Sequence, residues 1–124
     1  MCLSRVDSCR HRTTEDKFAY KVVLRLSSGN LWPEYRGEEE IKLNRLYDAD
    51  QKRIWYNGHK WYLSGFHCLP TLNDVRKWRG ADRVIVKVRI PKGATIQYGR
   101  QSTYRSKVNI IVSSQVEFME VIND

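Results

Sequence analysis

The chain predicts a sheet-dominated, mostly antiparallel α+β domain with one short helix. Three observations carry that expectation. Apolar and polar residues alternate through 18–26 and 83–90, the two-residue period of a half-buried strand. Asn57-Gly58 stands between two aromatic-rich runs, and Asn-Gly accepts the positive φ values a tight hairpin turn requires. A capped helical signature occurs near 72–79, flanked by strand-like segments.

Taken in order, residues 1–16 are polar, charge-balanced and without periodicity, so they are expected to form a loose arm before a single globular domain over 17–124. In 18-FAYKVVLRL-26, Phe18, Tyr20, Val22, Leu24 and Leu26 share one face, expected inward, and Lys21 and Arg25 the other. Ser27-Ser28-Gly29-Asn30 supplies turn chemistry. Pro33 and Gly37 make 31–40 irregular, with Trp32 and Tyr35 expected to place their rings in the core. The short 41–47 reads equally as an edge strand or one helical turn. The hairpin follows at 53–62, and then a Gly65-Phe66-His67-Cys68 run, read as a loop leading to the helix. Thr71 caps that helix, Asp74 stands three residues later, and Gly80 is placed to stop it. Leu72, Val75 and Trp78 would face inward. The strand 83–90 places Val84, Val86, Val88 and Ile90 on one face and Ile85, Lys87 and Arg89 on the other. Two more strands, near 107–112 and 115–122, bring the expected total to between five and seven.

A chain of 124 residues supports one core, and 11% aromatic residues argue against disorder. There is no run of 18 apolar residues, so no membrane span is expected. The first residues have no hydrophobic leader, and three cysteines without a CxxC pair suit a reducing cytoplasm better than a disulfide framework. The net charge of +8 is uneven. Residues 1–50 balance nine basic against nine acidic side chains, whereas 51–107 hold thirteen basic and only Asp74 and Asp82 as acids. A segment that poor in acid is a candidate surface for phosphate, nucleotide or nucleic acid.

Catalytic patterns are sparse. The soft ligands Cys2, Cys9, His11, His67 and Cys68 lack zinc-site spacing, so no metal is expected. His67 and Cys68 are neighbours, but on an extended chain they point to opposite faces and make no dyad. Neither GxGxxG nor a Walker pattern occurs. Cation–ring pairs are frequent instead. Tyr35-Arg36, Lys52-Arg53 with Trp55 and Tyr56, Lys60-Trp61-Tyr62, Tyr98-Gly99-Arg100 and Tyr104-Arg105 each set a ring beside a cation. Rings stack on bases while cations hold phosphates. The expected binding cleft combines Tyr20, Tyr35, Arg36, Phe66, His67, Tyr104 and Arg105. The expected basic surface comprises Lys52, Arg53, Lys60, Lys87 and Arg89. The competing expectation makes the Gly-Phe-His run a packing device, with Gly65 in a special backbone conformation, Phe66 in the core and His67 bonded to a backbone carbonyl.

Two resemblances follow from these residues. The order Met1-Cys2-Leu3, Tyr20-Lys21-Val22, Pro33 with Tyr35 and Gly37, Gly65-Phe66-His67, and Val84 through Gly93 resembles small uncharacterised proteins of gut Bacteroidales phages, including crAss-like phages. That resemblance implies a phage protein made in a bacterial cytoplasm and implies no particular activity. The order Tyr35-Arg36-Gly37, Gly65-Phe66-His67, Ile90-Pro91-Lys92-Gly93 and Asn109-Ile110-Ile111-Val112 is also similar to the ADP-ribosyltransferase fold. The glutamate those enzymes need falls near Lys107 or Asn109, neither of them acidic, so this resemblance implies a cleft without catalysis. The expected function is therefore non-enzymatic binding of a nucleotide or nucleic acid, without a cofactor, in host takeover or counter-defence. The alternatives are a diverged NAD-dependent ADP-ribosyltransferase, with Arg36 and His67 in its NAD cleft, and a structural or host-protein-binding module.

Overall fold

The structure is a computed structural model that describes residues 3, 5–33, 40–56, 60–78, 83–102 and 107–122, without the side chains of Tyr56 and Trp78. The described residues form β1 (Arg5–Val6), β2 (His11–Arg12), β3 (Lys17–Arg25), β4 (Leu31–Pro33), β5 (Leu46–Asp48), β6 (Arg53–Tyr56), β7 (Lys60–Leu63), β8 (Phe66–Cys68), α1 (Leu72–Trp78), β9 (Arg83–Ile90), β10 (Thr95–Ser102), β11 (Lys107–Ser113) and β12 (Gln115–Ile122). The protein is sheet-dominated, and the strand pairings are antiparallel.

One sheet runs β1-β10-β11-β8, with β2 also on β10; a second runs β4-β3-β9-β12-β5; β6 and β7 form a separate hairpin. The two larger sheets are tied at two places. Tyr20 and Leu69 exchange backbone hydrogen bonds of 2.8 Å each, which joins β3 to the chain just after β8. At the bend between β11 and β12, the Ser114 amide donates to Thr95 at 2.9 Å and its carbonyl accepts from Ala49 at 2.8 Å.

Two apolar clusters result. The first lies between the two larger sheets and holds Ala19, Val23, Cys68, Val86, Val88, Ile90, Ile96, Ile111, Val116 and Phe118. The second occupies the opposite faces of β3, β9 and β11 and holds Val22, Ile85, Val108, Ile110 and Val112, covered by Leu69, Val75 of α1 and Tyr62 of the hairpin. Strands covered on both faces read as apolar runs rather than alternation. That explains Ile110-Ile111-Val112, and it explains why Ile85, expected outward, is fully buried.

The same covering buries both faces of β3: Tyr20 and Val22, expected inward, pack in the second cluster. Ala19 and Val23 line the first cluster, and Lys21 shares their side, its Nζ donating to the His67 carbonyl at 2.7 Å. Phe18, expected inward, is 51% exposed, and Leu26 is exposed as well. A lysine whose ammonium finds a carbonyl is tolerated between layers, so its charge misleads a face assignment.

The helix begins as expected. The Asp74 amide donates to Thr71 Oγ1 at 3.1 Å, and that hydroxyl donates to Asp74 Oδ2 at 2.8 Å. Val75 and Leu72 face the second cluster, and Arg76 and Lys77 face water. Gly80 and the Asn57-Gly58 turn lie outside the described residues, but the register pairs Tyr56 with Lys60, so three residues link the hairpin strands. Residues 41–47 resolve toward the edge strand: Ile41 bridges Leu31, and β5 pairs with β12.

The arm differs from expectation. Leu3 is 2% exposed and its amide donates to the Tyr62 hydroxyl at 2.8 Å. Arg5 and Val6 pair with Arg100 and Gly99, and His11 and Arg12 with Ile96 and Thr95. An edge-covering segment keeps most side chains in water, so its sequence shows little apolar periodicity. Gly99 marks the crossing: a Cβ there would stand 2.5 Å from the Arg5 carbonyl oxygen. That glycine and its polar neighbours also explain why β10 was not among the expected strands.

Candidate functional site

The β6–β7 hairpin presents two different faces. Ile54 and Tyr62, opposite one another, point inward. Arg53, Trp55, Trp61 and Leu63 have the other parity and line the outer face. Ser64 braces the base, donating to the Asp50 carbonyl and accepting from the Lys52 amide, both at 2.8 Å.

On the outer face, the Arg53 guanidinium carbon lies 4.7 Å from the Trp61 ring centroid. That of Arg10, from the arm, lies 4.5 Å from the same centroid. Arg10 reaches it because Ser8 is held on β10: Gln97 Nε2 donates to the Ser8 carbonyl at 2.9 Å and Ser8 Oγ accepts from the Tyr98 amide at 3.0 Å. Neither arginine has a carboxylate partner among the described residues. A guanidinium stacked on an indole keeps its N–H edge available while its face is anchored. Trp55, directly across from Trp61, is 59% exposed. Beside this face runs a shallow groove of about 190 Å³ lined by Arg10, Gln51, Leu63, Gln97 and Ser113.

The residues expected to form one cleft are not gathered in one. Gly65-Phe66-His67-Cys68 is not a loop: Phe66–Cys68 is a strand paired with β11. Phe66 and Cys68 therefore face the first cluster, and His67, opposite Val112, faces the second. Tyr20 shares the second cluster with His67. Tyr35, Arg36, Tyr104 and Arg105 lie outside the described residues.

His67 is a packed residue. Its ring meets Tyr62 edge-on at 6.3 Å between centroids, Nδ1 is 3.2 Å from the Gly65 carbonyl oxygen, and Nε2 is buried without a hydrogen-bond partner. Burial first, and the Lys21 charge second, push its pKa down to about 4, so the ring is neutral at pH 7. Burial pushes the Cys68 thiol up to about 11, which removes it as a nucleophile at neutral pH. Gly65 has an ordinary negative φ; it is required instead by crowding, because a Cβ would stand 2.5 Å from the Ser113 carbonyl oxygen.

The expected basic surface divides. Arg53 belongs to the stacked face just described, and Lys60 is exposed near the end of the same hairpin. Lys52 pairs with Asp50 at 3.4 Å, both largely exposed. Arg89 is taken up by Glu117 at 2.6 Å and Asp16 at 3.3 Å. Lys87 lies over the Phe18 ring at 4.8 Å and opposite Glu120 in register. Sequence reasoning missed Arg10, whose segment carries no periodic signal.

Among the described residues, no group of three or more His, Cys, Asp or Glu could hold a metal ion, and no helix is long and apolar enough to cross a membrane. No protein-family model, curated protein or solved structure matches this chain.

Proposed function

We propose that this chain is a non-enzymatic binding protein for an anionic partner, a nucleotide or nucleic acid, held on the outer face of the β6–β7 hairpin. The observation that carries this reading is the stack of Arg10 and Arg53 on Trp61, two cations without carboxylate partners among the described residues, beside the exposed Trp55. Ordered guanidiniums bind phosphate with less loss of side-chain freedom than mobile ones. The net charge of +8 favours the same partner at long range. In the phage setting that the sequence resembles, such a protein would act in a bacterial cytoplasm, in host takeover or counter-defence. The NAD-dependent transferase reading has less support, because Glu117 is bound by Arg89 and the His67 ring lies under Tyr62.

The test is a low-salt binding titration of the full chain with fluorescent oligonucleotides and with adenine and guanine nucleotides. Binding is expected, with log K falling linearly as log salt rises. Absence of binding to every one of these probes at low salt would overturn the proposal.

A further inference from the structure

Resting on that reading, we infer that the hairpin face takes a single strand of nucleic acid, with an unpaired base stacked on Trp55 and neighbouring phosphates on Arg10 and Arg53. Three features lead to a single strand rather than a duplex or a free nucleotide.

The first is the exposed indole. Trp55 is 59% exposed at a position where the adjacent Trp61 is covered by guanidiniums. An exposed aromatic face offers a ligand one particular contact, ring on ring. A duplex hides its base faces in the stack and shows only backbone and groove edges, so it cannot use that contact. An unpaired base can, whatever its identity, because every base has a π-face.

The second is the depth of the site. The groove beside the hairpin is open, and the roughly 190 Å³ between its walls runs into solvent. A site built for a lone small ligand encloses it and buries most of its surface. A lone nucleotide on this face would leave most of its surface in water. A polymer gains instead by repeating a modest contact along its length.

The third is the arrangement of charge. Arg10 lines the groove and also stacks on Trp61, so cationic surface continues from the hairpin face into the groove. Arg53 lies two residues from Trp55 on the same face of β6. Cations flanking a stacking ring are the layout by which sequence-tolerant single-strand surfaces hold both backbone and base.

The experiment measures anisotropy of labelled single-stranded DNA, single-stranded RNA and duplex DNA of one mixed sequence, with wild type, Trp55→Ala and Trp55→Phe. Trp55 is exposed, so thermal melting is expected to show both variants folded. One or both single strands should bind at least tenfold tighter than the duplex. Trp55→Ala should lose roughly tenfold to hundredfold on the single strand while leaving its salt slope unchanged, and Trp55→Phe should recover most of that loss. Duplex binding as tight as single-strand binding, or a Trp55→Ala variant with undiminished single-strand affinity, would overturn this inference and leave the broader nucleic-acid reading standing. Binding to nucleotides but to no oligonucleotide would also overturn it. No binding to any probe would overturn both.

Discussion

Two basic faces of this protein look alike in sequence and differ in the structure. On β9, Lys87 and Arg89 alternate with apolar residues, as Arg53 does on β6. Arg89, however, lies between Glu117 and Asp16, and Lys87 covers Phe18 opposite Glu120. Arg89 sits in a closed charge system that fastens β9 to β12 and to the residues before β3, while Lys87 beside it rests on a phenyl ring. The hairpin face has Arg10 and Arg53 anchored by a ring instead of a carboxylate. A cation held by a carboxylate has spent its charge; a cation held by an indole has been ordered and keeps it. Predictions can attack the contrast from its supports inward.

The largest effect concerns the seat of the hairpin. Tyr62 rests on the neutral His67 ring. Burial disfavours the imidazolium in the folded chain, so the unfolded chain binds that proton more readily. The contribution is complete above the ordinary histidine value of 6.5 and is lost as pH falls from there to about 4. Linkage makes this a loss on the order of 3 kcal/mol at most. Denaturant unfolding between pH 7 and 4 should show it, and His67→Gln should flatten the profile in that window. An unchanged profile in the variant would mean that His67 is not the buried neutral group described here.

Next in size is the hairpin charge itself. Arg10→Ala combined with Arg53→Ala should weaken oligonucleotide binding roughly tenfold at low salt and reduce the salt slope by about two, one for each lost phosphate contact. If Arg53→Ala alone reproduced the whole loss of the double variant, the arm would contribute nothing. Gly99→Ala approaches the same point through the backbone. Its Cβ would meet the Arg5 carbonyl oxygen and the Leu3 side chain, so the arm must shift. Stability should fall by about 1–2 kcal/mol, and binding should drop by the share belonging to Arg10 alone.

Much of the fold was legible in the sequence. Alternation located β3 and β9, Asn57-Gly58 located the hairpin, and Thr71 with Asp74 located the helix start. The faces were less legible, because a two-residue period cannot reveal that a helix and hairpin cover the outer side of β3 and β9. Ile85 was misplaced for that reason, whereas Phe18, on that same side, is 51% exposed and meets Lys87. Short strands such as β8 were hidden too: three residues soon after a glycine and just ahead of Leu69-Pro70 read as a loop until β11 pairs with them. Half of the candidate site was legible, since Arg53, Trp55 and Trp61 stand together in the hairpin. The other half was not, because Arg10 lies more than forty residues away in a charge-balanced segment and arrives through Ser8 on β10. Segment charge counted along the chain assigned the surface to 51–107 and left that arginine out.

The smallest effects should come from β9, and they test the contrast most sharply. Removing Arg89 takes away a charged hydrogen-bond partner from Glu117, whose side chain is only 17% exposed, and leaves that carboxylate less well solvated than in water. Arg89→Ala should therefore cost about 1 kcal/mol of stability. It should change oligonucleotide affinity by less than twofold, because the Arg89 guanidinium is engaged by Glu117 and Asp16 and makes no phosphate contact. Lys87→Ala removes a half-buried cation from the Phe18 ring and should stay within about 0.5 kcal/mol. Both variants keep a net charge of +7, one below the wild type's +8, while each hairpin arginine variant has that same net charge. Equal binding losses from Arg89→Ala and Arg53→Ala would mean that total charge governs binding and that the stacked face has no special part in it. Unequal losses, with Arg53 the larger, locate the site on the hairpin by a comparison in which charge is held constant.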